Sequence, residues 1–324
     1  MEEAIITTMD SRTTSAVAWL LRSDEPGIRY QTRRDLLDED RPAERARVLK
    51  GAKVTALFDG QQNDGGFGGN PYRKWHGAHW RIVSMAELAV PEGVPRAVAA
   101  VERVLRWQAA PYRLRMVPVI NDRARVCASL EGNAVAAACR LGLADDPRVE
   151  TLARSLVGWQ WPDGGWNCDR RATGRRSSFH ETFIPAWGLG EYAAATGARW
   201  AARAARRAAE LFLTHSVYRR LADGEVINRQ WTVLHYPAYW HYDVLAALLV
   251  LSRLGLGTDP RLNDALDLVE RKRRPDGRWQ PGAYWWKGPD GKGGPSDVVD
   301  WGRGGPNEML TLNALRVLKA AGRL

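Results

Sequence analysis

One short element recurs along the chain and constrains its fold more than any other feature. Residues 61–67 read QQNDGGF and residues 160–166 read QWPDGGW, so both fit Gln-x-x-Asp-Gly-Gly-aromatic. A decayed copy, RRPDGRW, occupies residues 273–279, and weaker copies lie at 107–113 and 214–224. When Gln61, Gln108, Gln160, His215 and Arg273 are taken as equivalent, the spacings are 47, 52, 55 and 58 residues. A steady period of this length indicates a repeat architecture and not two unrelated domains.

Each repeat reads as a pair of helices. An Ala/Leu/Arg-rich segment with helical spacing precedes each copy, at residues 43–58, 95–108, 147–160, 200–215 and 260–273. A more apolar helix follows after a connector, and a capping-box pattern at Ser178 and Glu181 predicts where one of them begins. An amphipathic helix followed by an apolar one favours two concentric layers. A further pair is predicted near 13–22 and 27–38.

These patterns predict an all-α fold. We expect one domain over residues 1–324, an (α/α) toroid or barrel of about six helical hairpins. Its N-terminal pair lies within residues 1–40, and its repeats lie near 43–90, 95–143, 147–197, 200–256 and 260–322.

Charge and composition restrict the partners. The formal net charge is +10, but the basic residues are spread along helical segments and mixed with acids, so no nucleic-acid partner is expected. The longest apolar run, residues 244–251, is too short to cross a bilayer, so membrane contact is peripheral at most. Three cysteines and an N-terminus without a signal-peptide pattern favour the cytoplasm. The oligomeric state is left open.

The repeated element resembles the QW motif of squalene and hopene cyclases, whose superfamily includes the β-subunits of protein prenyltransferases. The resemblance covers most of the chain through its five copies, and it implies an α/α toroid and an enzyme acting on isoprenoids. The chain departs from both groups. It lacks the Asp-x-Asp-Asp acid of the cyclases, which DVVD at 297–300 does not match, and no Asp-x-Cys pair precedes the zinc-histidine-like segment around His241. We expect the motif residues Asp64, Asp163, Trp166 and Asp276 to stabilise the fold and not to act in catalysis.

The connectors between outer and inner helices are the predicted site. They span residues 64–79, 109–128, 163–179, 216–238 and 276–306, and five of the six histidines lie in them or at the next helix start. Tryptophans and arginines gather in the same segments, which suits an amphiphile with an anionic head, such as a prenyl diphosphate, and equally an acidic sugar chain. The predicted substrate-binding residues are Trp80, Arg81, Trp166, Arg176, Trp240, Trp301, Arg303 and Asn307.

Acid–base candidates stand at the starts of the inner helices. A histidine beside a carboxylate is held in one tautomer with its pKa near working pH, as general catalysis requires. The candidates are His180, His241, Tyr242, Asp243, Glu131 and Glu308. No cofactor is expected, because no nucleotide-binding fingerprint is present. If a metal such as zinc or magnesium does bind, Cys168, Asp169, His180 and His241 are the predicted ligands.

Three functions remain open on the sequence. The first is an isoprenoid-binding or isoprenoid-processing enzyme with an aromatic- and arginine-lined central cavity. The second is a lyase or hydrolase acting on acidic oligo- or polysaccharide. The third is a toroid that binds a ligand without changing it. Polar groups converging in the lumen would favour an enzyme, whereas a lumen filled by side chains would favour the third.

Overall fold

A computed structural model describes residues 9–291 and 296–324. Residues 1–8 of the predicted N-terminal pair and residues 292–295 of the last predicted connector lie outside the described residues. The all-α prediction is confirmed, because the described residues hold fourteen α-helices and a single two-residue strand pair, β1 (Val119–Ile120) with β2 (Arg123–Ala124). No described helix combines the length and the apolar character that crossing a lipid bilayer requires.

The helices follow the predicted alternation. They are α1 (Ser11–Leu21), α2 (Pro26–Leu36), α3 (Pro42–Arg47), α4 (Ala52–Phe58), α5 (Ala78–Glu87), α6 (Pro95–Gln108), α7 (Pro111–Arg115), α8 (Ser129–Arg140), α9 (Pro147–Trp159), α10 (Phe179–Thr196), α11 (Arg199–Thr214), α12 (Val244–Arg253), α13 (Asn263–Arg271) and α14 (Glu308–Ala320). Short 3₁₀ turns lie at Val48–Lys50, Arg229–Thr232 and Pro260–Leu262.

Burial separates two kinds of helix. In α11 the buried positions are mostly alanines spaced three or four residues apart, such as Ala201, Ala204, Ala205 and Ala208, so one face packs and the other meets solvent. In α8 every position from Ser129 to Cys139 except Leu130 is buried. We call α1, α3–α4, α6, α9, α11 and α13 the outer helices, and α2, α5, α8, α10, α12 and α14 the inner helices.

The last helical hairpin contacts the first, so the hairpins form a closed ring. Inner helices touch in the order α5, α8, α10, α12, α14 and then α2. The repeated motif makes the matching outer contacts. Gly65, Gly164 and Gly277 have φ of 82°, 93° and 82°. A Cβ atom on them would meet the carbonyl oxygens of Ala99, Arg207 and Arg12, respectively. The last motif copy therefore packs on α1 as the earlier copies pack on α6 and α11.

The predicted outer helix 43–58 is interrupted. It breaks into α3, a 3₁₀ turn and α4 at Gly51. The Glu25 carboxylate lies where a Cβ atom of Gly51 would stand, and it accepts a hydrogen bond from the Lys53 amide at 2.9 Å. The interruption therefore has a tertiary cause.

The connectors meet one another beside the first turns of the inner helices. We number them one to five in chain order, with the bounds given above. His76 Nε2 lies 3.0 Å from Ser296 Oγ, which joins connectors one and five. Asn121 donates to the Ala172 carbonyl at 3.0 Å, which joins connectors two and three.

Candidate functional site

The centre of the inner helices is nearly filled. A cavity of about 60 Å³ lies among α5, α8, α10, α12 and α14. Residues 235–239, at and directly after the end of connector four, line one side of it. This volume holds about four water molecules and is far below the roughly 300 Å³ of a small ligand site. Its described lining includes one arginine, Arg253, and one tryptophan, Trp187. None of the predicted site residues lines it.

Tyr239, which directly follows connector four, joins connector five in a hydrogen-bonded network that the sequence did not predict. Tyr239 Oη donates to Asp297 Oδ2 at 2.6 Å and lies 3.2 Å from Ser84 Oγ. Trp301 Nε1 donates to the same carboxylate oxygen at 3.1 Å. Burial raises the pKa of Asp297 in spite of these donors. Asp297 belongs to the DVVD stretch, and its spacing gave no sign that Tyr239 would reach it.

His235 and Asp243 form a buried pair next to this network. His235 Nδ1 lies 2.7 Å from Asp243 Oδ2, and that oxygen also accepts the His235 amide at 2.9 Å. The other oxygen, Oδ1, accepts the Ala246 amide and so caps α12. His235 Nε2 has no hydrogen-bond partner among the described residues. Sequence reasoning chose Asp243 but not its partner, because the histidine lies eight residues away in a connector.

His241 lies in an aromatic stack. Its ring centroid is 3.9 Å from that of Trp240 and 4.8 Å from that of Trp285, with interplanar angles of 23° and 5°. Burial, followed by the charges of His235, His180 and Lys74, lowers the pKa of His241 to about 3. The ring is therefore neutral at physiological pH, and the Lys74 ammonium lies 4.8 Å from the Trp240 ring centroid.

Three further residues, on α5, α6 and α8, carry buried polar atoms without partners in the described part of the chain. Glu131 Oε2, both ring nitrogens of His79 and both amide atoms of Gln108 are buried without partners among the described residues. Burial raises the pKa of Glu131 to about 7 and lowers the pKa of His79 to about 3. His79 and Gln108 were not among the predicted site residues: Gln108 was interpreted as a copy of the structural motif, and His79 has no carboxylate beside it in the sequence.

Several predicted site residues hold the frame together. Arg81 donates to the carbonyls of Ala56, Leu57 and Asp59 at the end of α4, and burial lowers its pKa to about 10. Trp166 Nε1 donates to the Leu156 carbonyl at 2.9 Å. Tyr242 is buried, and its hydroxyl donates to the Val217 carbonyl at 2.6 Å. The remaining contacts are Trp80 Nε1 with the Tyr72 carbonyl, Asn307 Nδ2 with the Trp301 carbonyl, and Arg303 with the Trp286 carbonyl.

Glu308 lies apart from the others. It is the first residue of α14, it is half-buried, and it lies close enough to Glu25 to raise the pKa of that carboxyl, after the larger effect of burial. The structure does not bring it to His180, His241 or Glu131.

A groove of about 950 Å³ lies between connectors three and four, against α11. It is within the size range of small-ligand sites. Its apolar part includes Phe179, Leu211, Leu221, Ile227 and Trp231, and its charged part includes Asp163, Arg176, Arg207, Glu210 and Arg220. Two predicted residues, His180 and Arg176, line this groove.

His180 is oriented by the backbone of the next repeat. Its Nδ1 accepts a hydrogen bond from the Tyr242 amide at 2.9 Å. The same nitrogen lies 3.3 Å from the Trp240 carbonyl oxygen, and the shorter contact with the Tyr242 amide favours the neutral tautomer that carries its proton on Nε2. Burial lowers the pKa of His180, which favours this neutral form.

The predicted metal ligands are separated. Asp169 pairs with Arg171 at 2.8 Å, His180 faces the groove and His241 is in its stack. Cys168 instead lies beside Cys127 and Glu181, and the ligand atoms of these three residues lie within 4.8 Å of one another. Ser129 also donates its amide to Glu181 Oε2 at 3.0 Å. The helix start predicted at Ser178 is confirmed, because Ser178 is the N-cap residue of α10, but the predicted capping box is wrong, because the Ser178 side chain makes no capping bond.

No known protein family matches the chain by sequence, and no curated protein matches it either. Among solved structures, a protein from Actinoplanes is 18% identical, with 99% of this chain and 100% of that chain covered and a TM-score of 0.47. Two structures of type II terpene cyclase MstE from Scytonema are each 16% identical over 100% of both chains. One, with the product merosterolic acid A, has a TM-score of 0.48, and the other, with the substrate geranylgeranyl dihydroxybenzoate, has 0.46.

Proposed function

We propose that this protein is an enzyme that binds an amphiphilic anionic small molecule, of the isoprenoid or prenyl diphosphate type, in the groove between connectors three and four. The observation that carries the proposal is the meeting of an apolar wall and three arginines in a groove of ligand size. The central cavity of about 60 Å³ is too small for the same role.

The arginine side of the groove has an excess of positive charge. Both oxygens of the Asp163 carboxylate accept hydrogen bonds from Ser177, through its hydroxyl and its amide. Glu210 pairs with Arg261. Among the described residues, no carboxylate pairs with the Arg176 guanidinium, and Arg207 bonds to the neutral Gln160 side chain. An anionic head group therefore gains a charge-assisted partner without breaking an ion pair of Arg176 or Arg207.

His180 supplies a donor at the same wall. With Nδ1 held by the Tyr242 amide, the Nε2–H group is available to an anionic oxygen in the groove. A preorganised donor of this kind stabilises negative charge that develops on a leaving oxygen. In the proposed complex His180 donates to an oxygen of the head group, and Arg176 pairs with the head-group charge.

The apolar wall favours an isoprenoid chain over a sugar. Leu221 is 65% exposed, which is unusual for a leucine unless another apolar surface covers it. Sugar rings stack on open aromatic faces, whereas Trp231 is only 8% exposed and stacks on Phe179 at a centroid distance of 4.6 Å. The wall therefore offers aliphatic contact area and little open aromatic face.

The test compares the affinities of geranylgeranyl diphosphate, geranylgeraniol and inorganic pyrophosphate by titration calorimetry. Arg176→Ala should weaken diphosphate binding by about tenfold, since the loss of one charge-assisted bond costs roughly 1.4 kcal/mol or more. Arg175→Ala is the matched control, because Arg175 is exposed and adjacent but does not line the groove. Its affinity should stay within about twofold of the unchanged protein.

Equal effects of the two substitutions, or binding of an acidic oligosaccharide in place of the diphosphate, would remove the proposal. Product analysis addresses catalysis separately. Release of pyrophosphate or a changed prenyl skeleton supports an enzyme, and its loss in His180→Ala assigns the donor. A ligand recovered unchanged makes the protein a binding toroid.

A further inference from the structure

Two cysteines and a glutamate from three separate segments meet on the connector side of the molecule. Cys127 lies near the end of connector two, Cys168 lies two residues after the Trp166 of the third repeat, and Glu181 lies in the first turn of α10. Their ligand atoms all lie within 4.8 Å of one another. Among the described residues this is the only group of three His, Cys, Asp or Glu side chains with that arrangement.

Backbone contacts fix this meeting. The Val126 amide donates to the Asn167 carbonyl at 3.1 Å, and Arg125 and Asn167 form a parallel β-bridge. Cys127 lies two residues after Arg125, and Cys168 directly follows Asn167. Glu181 is tied to the same place by the 3.0 Å bond from the Ser129 amide. The three side chains are therefore brought together by main-chain pairing and not by chance positions of flexible loops.

The spacing suits a tetrahedral metal ion. The centre of a triangle with edges no longer than 4.8 Å lies within about 2.8 Å of each corner. Small side-chain rotations reach the roughly 2.3 Å of a zinc–sulfur bond and the roughly 2.0–2.2 Å of a zinc–carboxylate bond. Two thiolates select zinc over magnesium or calcium, which prefer oxygen ligands.

The local charges also favour a cation. Glu181 is only 8% exposed, and its carboxylate lies within 4.8 Å of the sulfur atoms of Cys127 and Cys168. Two sulfurs and a buried carboxylate in contact cannot all carry negative charge without a compensating positive one.

We propose that Cys127, Cys168 and Glu181 bind a zinc ion through three protein ligands, with the fourth position open to solvent. Cys127 is exposed, so the ion is reachable from outside and a water molecule completes the tetrahedron. Three protein ligands and one open position are typical of catalytic zinc sites and not of structural ones. This set shares only Cys168 with the ligands predicted from the sequence.

The test uses cobalt(II) as a spectroscopic substitute for zinc in the reduced full-length protein. We expect one cobalt per chain, with a thiolate-to-cobalt charge-transfer band in the near ultraviolet. Cys127→Ser and Cys168→Ser should each lose most of this band, and Glu181→Gln should weaken metal affinity at least tenfold while keeping an acceptor for the Ser129 amide. Cys139→Ser is the matched control, because Cys139 is buried in α8 outside this group.

A second measurement needs no substitution. Zinc should slow the alkylation of Cys127, measured by mass spectrometry, and magnesium should not. The absence of a charge-transfer band in the reduced protein, its persistence in the Cys127→Ser/Cys168→Ser double variant, or an alkylation rate that zinc leaves unchanged would each overturn the site. Arg176→Ala should keep the band, so failure of the groove and failure of the metal site are separately visible.

Discussion

At the scale of single residues, the chain keeps ionisable groups in places where water cannot reach them. Glu131 is 4% exposed, and one of its carboxylate oxygens has no partner among the described residues. An unpartnered buried carboxylate is destabilised when it is charged, and burial raises the pKa of Glu131 to about 7.

This residue predicts a pH dependence of stability. Because the folded pKa of about 7 exceeds the unfolded value of 4.5, the folded state binds the proton more tightly. The contribution of the protonated Glu131 side chain to the free energy of unfolding is complete below about pH 4.5 and is lost as the pH rises through 7. Glu131→Gln should remove this loss, so that by pH 8 the variant unfolds with a free energy up to about 3 kcal/mol higher than the unchanged protein.

Urea unfolding at about pH 5 and about pH 8 measures the difference. Glu102→Gln is the control, because Glu102 is an exposed residue of α6 and its replacement should leave the pH profile unchanged. Parallel profiles for Glu131→Gln and the unchanged protein would contradict the expected role of burial.

Residue type alone could not separate candidate ligands from structural groups. Arginine, asparagine and aspartate suit a head-group site, but they also cap helices. Arg81 binds the last carbonyls of α4, Asn307 caps α14, and Asp243 caps α12. Arg176 and His180 do line a groove. The difference lies in which carbonyls and amides come near, and these belong to distant segments.

At the scale of elements, the repeated motif predicts its structural role well. The Gln160 side chain donates to the Gly164 carbonyl of its own turn at 2.6 Å and to the Ala204 carbonyl of α11 at 2.9 Å. Gln61 bonds to Gly65 and Arg96 in the same way. Local sequence determines this turn, because its glycine, amide and aromatic groups lie within seven residues. The break at Gly51 was not predictable, because its cause is Glu25, from another hairpin.

The last copy of the motif should contribute strongly to stability. A methyl group at Gly277 would stand 2.0 Å from the Arg12 carbonyl oxygen and would push α1 away. Gly277→Ala should therefore lower the free energy of unfolding by about 3 kcal/mol or more. Gly255→Ala should lower it by only about 1–2 kcal/mol, because φ is 73° there as well but no atom lies within 4 Å.

Thermal and urea unfolding of the two variants give the comparison. If Gly277→Ala lowers the free energy of unfolding no more than Gly255→Ala does, the contact between the last motif copy and α1 does not hold the first and last hairpins together.

At the scale of the whole molecule, charge should affect how fast a ligand arrives. The chain carries 47 Lys and Arg against 37 Asp and Glu. An anionic amphiphile is attracted over distances comparable to the Debye length, so its association slows as salt is added.

Stopped-flow tryptophan fluorescence should show this effect. The association rate constant of geranylgeranyl diphosphate should fall roughly tenfold between about 20 and 200 mM sodium chloride. Geranylgeraniol, which has no charge, serves as the control and should show little change. A similar response of both ligands would mean that the net charge of +10 does not steer binding.

The position of the cavities was the least predictable feature of the whole molecule. Repeat spacing predicts how many hairpins there are, and the all-α class follows from helical periodicity. The path of a connector depends on long-range contacts, such as Tyr239 with Asp297, 58 residues apart. The central site was therefore predicted where connector four fills the space, and the groove beside α11 was not predicted.

Tyr236, Pro237 and Tyr239 belong to a segment that links helices and is not part of any helix. The size of the hollow therefore depends on the length of this link as well as on the inner helices around it. A protein with the same helices and a shorter link at this point would have a larger central cavity. Deletion of a few residues of the link would therefore enlarge the cavity without a change in helix packing.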